Sequence, residues 1–130
     1  MKYTLAIHGS PYASGAHLQA ILLCEAILRA GHTITRVFFY HDAVNVALNT
    51  LVAPQDEANL NAKWQQLAHE HGLELAVCIA NGLKRGVVST GEAKRYKLDH
   101  PSLSEGFELV GLGQLIDAIA TSDRYIEIPT

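Results

Sequence analysis

The stretch Glu74–Val87, ELAVCIANGLKRGV, decides how the chain is read. Leu73, Leu75, Val77 and Ile79 recur at every second position with Ala76 between them, and helix-forming and turn residues follow. A short apolar run of this kind reads as a strand buried on both faces, as in parallel sheets covered by helices. Cys78 stands at its carboxyl end. In an open parallel sheet the loops leaving the strand tips form the crevice where ligands and reacting groups gather, so a thiol there is placed for chemistry. Ala80–Arg85 then reads as a short helix that carries Lys84 and Arg85. Helix N-terminal N–H groups and two nearby cations both favour a thiolate, which makes Cys78 a candidate nucleophile. A packing role competes with that reading, because free cysteine is among the most buried residue types. The chemical reading expects Sγ to stand reachable at the mouth of the sheet.

Working outward, strands and helices alternate along the whole chain. Tyr3–His8 alternates and runs into the turn-rich loop Gly9-Ser10-Pro11-Tyr12, and Ala16–Ala30 keeps Leu18, Ile21, Leu22, Ile27 and Leu28 on a wide apolar face before stopping at Gly31. Thr33–Tyr40 is rich in β-branched and aromatic residues and precedes His41-Asp42, a helix-capping pair, with a short helical piece over Ala43–Leu48. A longer helix is expected from about Glu57 to His71, closed by Gly72, with Trp64 as a packing anchor. After the cysteine strand come a polar helical stretch, Ala93–Leu98, and an irregular loop around His100-Pro101 that is placed to act as a lid. Phe107–Val110 reads as a brief strand, Leu112–Ala120 as a helix and Arg124–Ile128 as a last strand. Such alternation, wound by right-handed crossovers, implies an α/β fold: a three-layer α/β/α sandwich on a mostly parallel sheet of about five strands. At 130 residues the chain is expected to form one domain, residues 1–130.

Composition narrows the function. Net charge is −3, with acidic and basic residues interspersed, which argues against direct nucleic-acid binding by a basic face. The two cysteines, Cys24 and Cys78, are too few for a disulfide framework or a zinc site, and imply reduced thiols and a cytoplasmic home. The amino terminus is too short an apolar run for a signal peptide, and no window approaches a membrane span. Cys24, with Ala20 and Leu28 one turn away, reads as core.

Three chemistries compete. The loop His8–Gly15 resembles an anion-cradling turn, but it contains neither G-x-x-x-x-G-K-[ST] nor G-x-G-x-x-G. A flavodoxin-like flavin-binding module is the nearest alternative on this ground. The seven histidines are scattered, without the spacing of metal ligands. Thiol chemistry at Cys78 remains: C-I-A-N offers no second thiol for dithiol cycling, so a single thiolate suits covalent carriage of sulfur as a persulfide, with no metal or organic cofactor. His8 and His41 each follow a strand and share the carboxyl edge with Cys78; Tyr40, His41, Lys84 and Arg85 are the candidate supporting residues.

Several segments together resemble a known family. Arg36–Val44, Ala53–Glu57, the cysteine strand with Arg85-Gly86-Val87, Gly106–Leu109, Gly111–Leu115 and Ser122-Asp123-Arg124 are similar, in order and spacing, to the DsrE/TusD family of sulfur-relay proteins. The resemblance covers almost the whole chain and places the family's sulfur-accepting cysteine on Cys78. It implies a sulfurtransferase subunit that assembles with two related small subunits, as in TusBCD or DsrEFH, into a heterohexamer. It further implies a TusA-like donor and a TusE-like acceptor on the way to wobble 2-thiouridine in tRNA, or, in the DsrE branch, a role in sulfur oxidation. The first loop departs from the family's Gly-Pro-Tyr by an inserted Ser10 and is expected only to shape the pocket.

Overall fold

Strands form where the sequence alternates or becomes wholly apolar. In a computed structural model describing residues 1–130 they are β1 (Lys2–Ile7), β2 (Thr33–Phe39), β3 (Leu75–Cys78), β4 (Phe107–Val110) and β5 (Arg124–Ile128). All four residues of β3 are buried, the pattern of a strand covered on both faces. The helices are α1 (Ala16–Arg29), α2 (Leu60–His71), α3 (Ile79–Lys84), α4 (Thr90–Arg95) and α5 (Leu112–Thr121), with a 3₁₀ segment at His41–Ala47. The five strands lie in the order β4-β3-β2-β1-β5, every neighbouring pair parallel.

This order fixes the layers. The connections β1–β2, β2–β3 and β3–β4 all step the same way across the sheet, whereas β4–β5 steps back past three strands. Right-handed crossovers therefore put α1, α2 and α3 on one face and α5 on the other, which is the three-layer sandwich expected. β3 and β4 are thus neighbours whose outgoing chains leave to opposite faces. Open α/β sheets bind ligands between two such tips, and Cys78, paired with Val110, stands at the tip of β3.

A cluster of 28 buried apolar residues fills the space between sheet and helices. Trp64 is fully buried, edge-on to Phe39, and so is the packing anchor expected. Its indole N–H donates to His17 Nδ1 at 3.0 Å, while His17 Nε2 lies 2.9 Å from the Gly9 carbonyl. Since Trp N–H only donates, His17 is the neutral tautomer with the proton on Nε2, which it donates to Gly9.

Some boundaries move for local reasons. α2 starts at Leu60 rather than about Glu57, because Asn59 takes the N-cap and accepts the Ala62 N–H. α4 starts at Thr90 rather than Ala93, capped by Ser89. Gly72 closes α2 at φ +66°, as its place in the sequence suggests.

The irregular loop around His100-Pro101 leads into a strap. Ser102 and Leu103 both donate their N–H to Val88 O, Asn49 N–H donates to Ser102 O, and Ser104 N–H to Ala47 O. Ser102 Oγ also accepts the Val88 N–H and donates to Gly86 O, and Ser104 Oγ accepts from Asn61 Nδ2. Each of these bonds would have to break for the segment to swing, so it clamps the 3₁₀ segment to the chain after α3.

Candidate functional site

The chain passes from β3 into α3 without a loop: Cys78 is the last residue of the strand and the N-cap of the helix. That abrupt turn roofs the thiol with the first turn of α3. Cys78 is only 4 % exposed, so the reachable Sγ expected from the sequence is corrected to a covered one. None of the sizeable concavities is lined by Cys78. One of about 460 Å³ runs along β3 and β4 from Leu73 and Gly106 to Val110, and its single cation, Arg36, is already engaged by Glu74 and Gln114.

The cover over the thiol is polar. Asn81 Nδ2 donates to Cys78 Sγ at 3.0 Å. Arg85 Nη1 donates to the Asn81 carbonyl at 3.1 Å and to Asn81 Oδ1 at 3.4 Å, and Arg85 Nε donates to Asp42 Oδ1 at 2.8 Å. Asp42, Arg85, Asn81 and Cys78 therefore form a chain of hydrogen bonds running from an exposed carboxylate to a buried sulfur. Arg85 orients the amide by holding its oxygen, which leaves the N–H₂ end directed at sulfur. An amide N–H can donate to sulfur, so the arrangement gives Sγ one fixed hydrogen-bond partner at the strand tip.

The proposed supporting residues separate. Arg85 reaches Cys78 through Asn81. Lys84 is exposed and lines an apolar concavity with Leu83, Val88, Tyr96 and Leu98 instead of joining the chain. Tyr40 and His41 form a second cluster at the carboxyl edge, with His8. His8 Nδ1 and His41 Nδ1 are 2.9 Å apart, one donating to the other, and the Tyr40 ring stands edge-on to both imidazoles. His41 holds φ +48°, a left-handed backbone that turns the chain sharply from β2 into the 3₁₀ segment. That turn places Asp42, and not His41, against Arg85.

The phosphate-like loop packs on itself. A Cβ on Gly9 would lie 2.5 Å from Ser14 Oγ and 2.8 Å from Ala16 Cβ, which explains the glycine. The Ala16 N–H turns to Ser14 Oγ. Cys24 is fully buried in α1, and burial, with Glu25 beside it, pushes its thiol up to about 12; it is core, as read.

With this geometry in place, comparison with known proteins is decisive. Residues 1–128 match the model of the DsrE/DsrF-like family. The chain belongs to that family. Among related DsrE/DsrF-like proteins, the sulfurtransferase TusD homolog of Vibrio vulnificus (strain YJ016) is 42% identical over 127 residues, 98% of this chain and 97% of the relative. The putative sulfurtransferase DsrE of Allochromatium vinosum is 39% identical over 97% of each chain. The sulfurtransferase TusD of Cronobacter sakazakii is 38% identical, covering 98% of this chain and 99% of that one. In three dimensions the crystal structure of the ychN protein from E. coli superposes with a TM-score of 0.79 over 98% of both chains, at 19% identity, and shares the fold.

For this DsrE/DsrF-like protein, sequence reasoning missed Asn81 and the partnership of Asp42 with Arg85. A signal for Asn81 was present. Cys78 and Asn81 are three residues apart across a strand-to-helix junction, the spacing at which an N-cap side chain and the residue at N3 meet. Nothing in the sequence pairs Asp42 with Arg85, 43 positions apart. That contact exists because β2 and β3 are neighbours in the sheet.

Proposed function

We propose that the protein is a sulfurtransferase subunit that carries sulfane sulfur as a persulfide on Cys78. Membership of the DsrE/DsrF-like family, and relatives named sulfurtransferases that align from end to end, support the class of activity. The observation that carries the assignment to Cys78 is the Asn81 N–H donated to Sγ at 3.0 Å, at the tip of β3 beside β4.

The step balances without a redox reagent. The Cys78 thiolate attacks the outer sulfur of a donor persulfide; the donor's S–S bond breaks, its thiolate leaves with the electron pair, and a new S–S bond joins that sulfur to Cys78. An acceptor thiolate then attacks the same outer sulfur, and Cys78 leaves as thiolate. Asn81 donates to Sγ before the donor enters and again after the acceptor has left. Because Sγ is covered in the resting chain, the half-buried Asn81 side chain must rotate aside to admit a donor, a motion of nanoseconds or faster for a side chain with two rotatable bonds.

In the cell the sulfur goes toward 2-thiouridine at the wobble position of tRNA, taken from a TusA-like carrier and given to a TusE-like acceptor. The protein works in the cytoplasm within a heterohexamer of this chain and two related small subunits. Relatives named TusD at 38–42% identity support this branch, and a relative named DsrE at 39% supports the alternative, a subunit of a sulfur-oxidation complex. No helix is long and apolar enough to cross a membrane. Mass spectrometry after incubation with a persulfide donor is expected to find one added sulfur on the peptide holding Cys78; label that persists in Cys78→Ser overturns the assignment. Expression in a bacterium lacking its own TusD is expected to restore 2-thiouridine, and co-expression with the neighbouring small subunits to yield one complex.

A further inference from the structure

The cations of this acidic chain are not spread evenly. Five of its ten lysines and arginines, Lys84, Arg85, Lys94, Arg95 and Lys97, fall between positions 84 and 97 against a single carboxylate, Glu92. The rest of the molecule holds five cations against twelve carboxylates. Arg85 is occupied by Asp42 and Asn81, but Lys84, Lys94 and Lys97 are exposed and enter no ion pair. Arg95 extends over the face of Tyr96, 5.5 Å from the ring centroid, with Glu92 at 4.0 Å.

Lys84 lines an apolar hollow, Arg95 lies over Tyr96 in its wall, and Lys97 stands in sequence between Tyr96 and Leu98, two further lining residues. Leu83, Val88, Tyr96 and Leu98, with the Lys84 stem, line a concavity of about 400 Å³. Tyr96 is 51% exposed and Leu98 49%, although a side chain of either type gains when it is covered. The floor is fixed. Leu98 N–H donates to Ala93 O, and Val88 is held by the strap through both its N–H and its carbonyl. The hollow begins where α3 ends. A six-residue helix rises about 9 Å, so whatever fills it lies within reach of the residue that caps the start of α3, which is Cys78.

We infer that this hollow is the docking surface for the protein that exchanges sulfur with Cys78, and that this partner presents an apolar anchor flanked by carboxylates. Apolar centre and charged rim is the ordinary anatomy of a transient protein interface, with the rim setting encounter rate and orientation. The charge excess argues for the carboxylates, and the apolar lining argues for a side chain as anchor. A polynucleotide fits less well, because it would meet a hollow without a row of phosphate-spaced donors on a molecule that is otherwise strongly negative. The inference names the partner chemistry of the site proposed above and rests on that reading for its purpose, though not for its binding.

The test uses the full chain carrying Cys78→Ser, so that binding is read without sulfur exchange. The probe is a short fluorescent peptide rich in glutamate with a central leucine; lysine-rich and leucine-to-serine analogues and a single-stranded RNA serve as competitors. Anisotropy is expected to show the acidic peptide binding at least tenfold more tightly than the lysine analogue, weakening as salt rises. Lys94→Glu with Lys97→Glu is expected to cost about tenfold and to favour the basic peptide instead. Tyr96→Ala is expected to remove the preference for leucine over serine. Equal binding of both peptides, indifference to the charge reversal, or displacement by RNA at lower concentration than peptide overturns the inference. Circular dichroism guards against unfolded variants, and charge reversal at Lys2 and Arg124, on β1 and β5, is expected to leave binding unchanged. Tight peptide binding by a chain whose Cys78 takes no sulfur would uphold the surface and reject the sulfur reading; labelling without binding would do the reverse.

Discussion

The inner side of α1 and the tip of β3 each bury a cysteine, and the two thiols are covered almost equally, at 0% and 4% exposure. Burial alone therefore does not tell a structural sulfur from a reactive one. What differs is the partner. Cys24 makes no side-chain hydrogen bond, and burial together with Glu25 pushes its thiol up to about 12, so it stays protonated and packs as a small hydrophobe. Cys78 accepts an amide N–H whose direction is set by an arginine, itself held by a carboxylate. The same residue type thus sits in two settings: on α1 a thiol fills space, and at the β3–α3 junction a thiol accepts a side-chain amide N–H.

The sharpest break between the two regions comes from exchanging sulfur for oxygen at each. Cys78→Ser is expected to abolish transfer of sulfur from a persulfide donor to a thiol acceptor, measured by release of labelled product, while Cys24→Ser transfers at the native rate. Equal loss in both variants would erase the distinction.

Next in size is an acid effect confined to α1. Burial lowers His17 from 6.5 to about 4, so the unfolded chain binds a proton in this window that the folded chain refuses. The contribution is fully present above pH 6.5 and is lost as pH falls toward 4. It amounts to ~3 kcal/mol, because each tenfold difference in proton affinity between the two states is worth about 1.36 kcal/mol. Urea midpoints at pH 7 and pH 4.5 are expected to differ much less in His17→Gln, which keeps an acceptor for Trp64 and a donor for Gly9 but does not titrate.

Asn81→Ala is expected to slow sulfur transfer by about tenfold to a hundredfold, the loss of one hydrogen bond to a charged group at ~1.5–3 kcal/mol. Stability should barely change, since Asn81 is half-buried. If the rate is untouched while the melting temperature drops, Asn81 is a cap and nothing more. The smallest effect is expected at Cys24→Ser itself: a loss of ~1–2 kcal/mol in urea unfolding, the cost of burying a hydroxyl without a partner.

Much of this contrast is legible in the residues alone. The strand alternation, the fully apolar β3, Gly31 and Gly72 as helix stops, and Cys24 as core all follow from local pattern, because each depends on residues within a turn or two of one another. What escapes is set at longer range. The cover over Sγ arises from the absence of any loop between β3 and α3, a boundary that apolar Ile79 conceals by continuing the strand pattern. Asp42 meets Arg85 only through strand order, and His8 meets His41 for the same reason, as β1 and β2 are neighbours. The Ser102–Ser104 strap is written mostly in backbone hydrogen bonds, which leave no trace in side-chain composition.

The strap also dates the moment at which the site is finished. Asp42 is braced by a segment that residues 102–104 clamp in place, and those residues leave the ribosome well after Cys78 has emerged. Until they arrive, the amide over the thiol is held by an arginine whose own carboxylate partner has no brace.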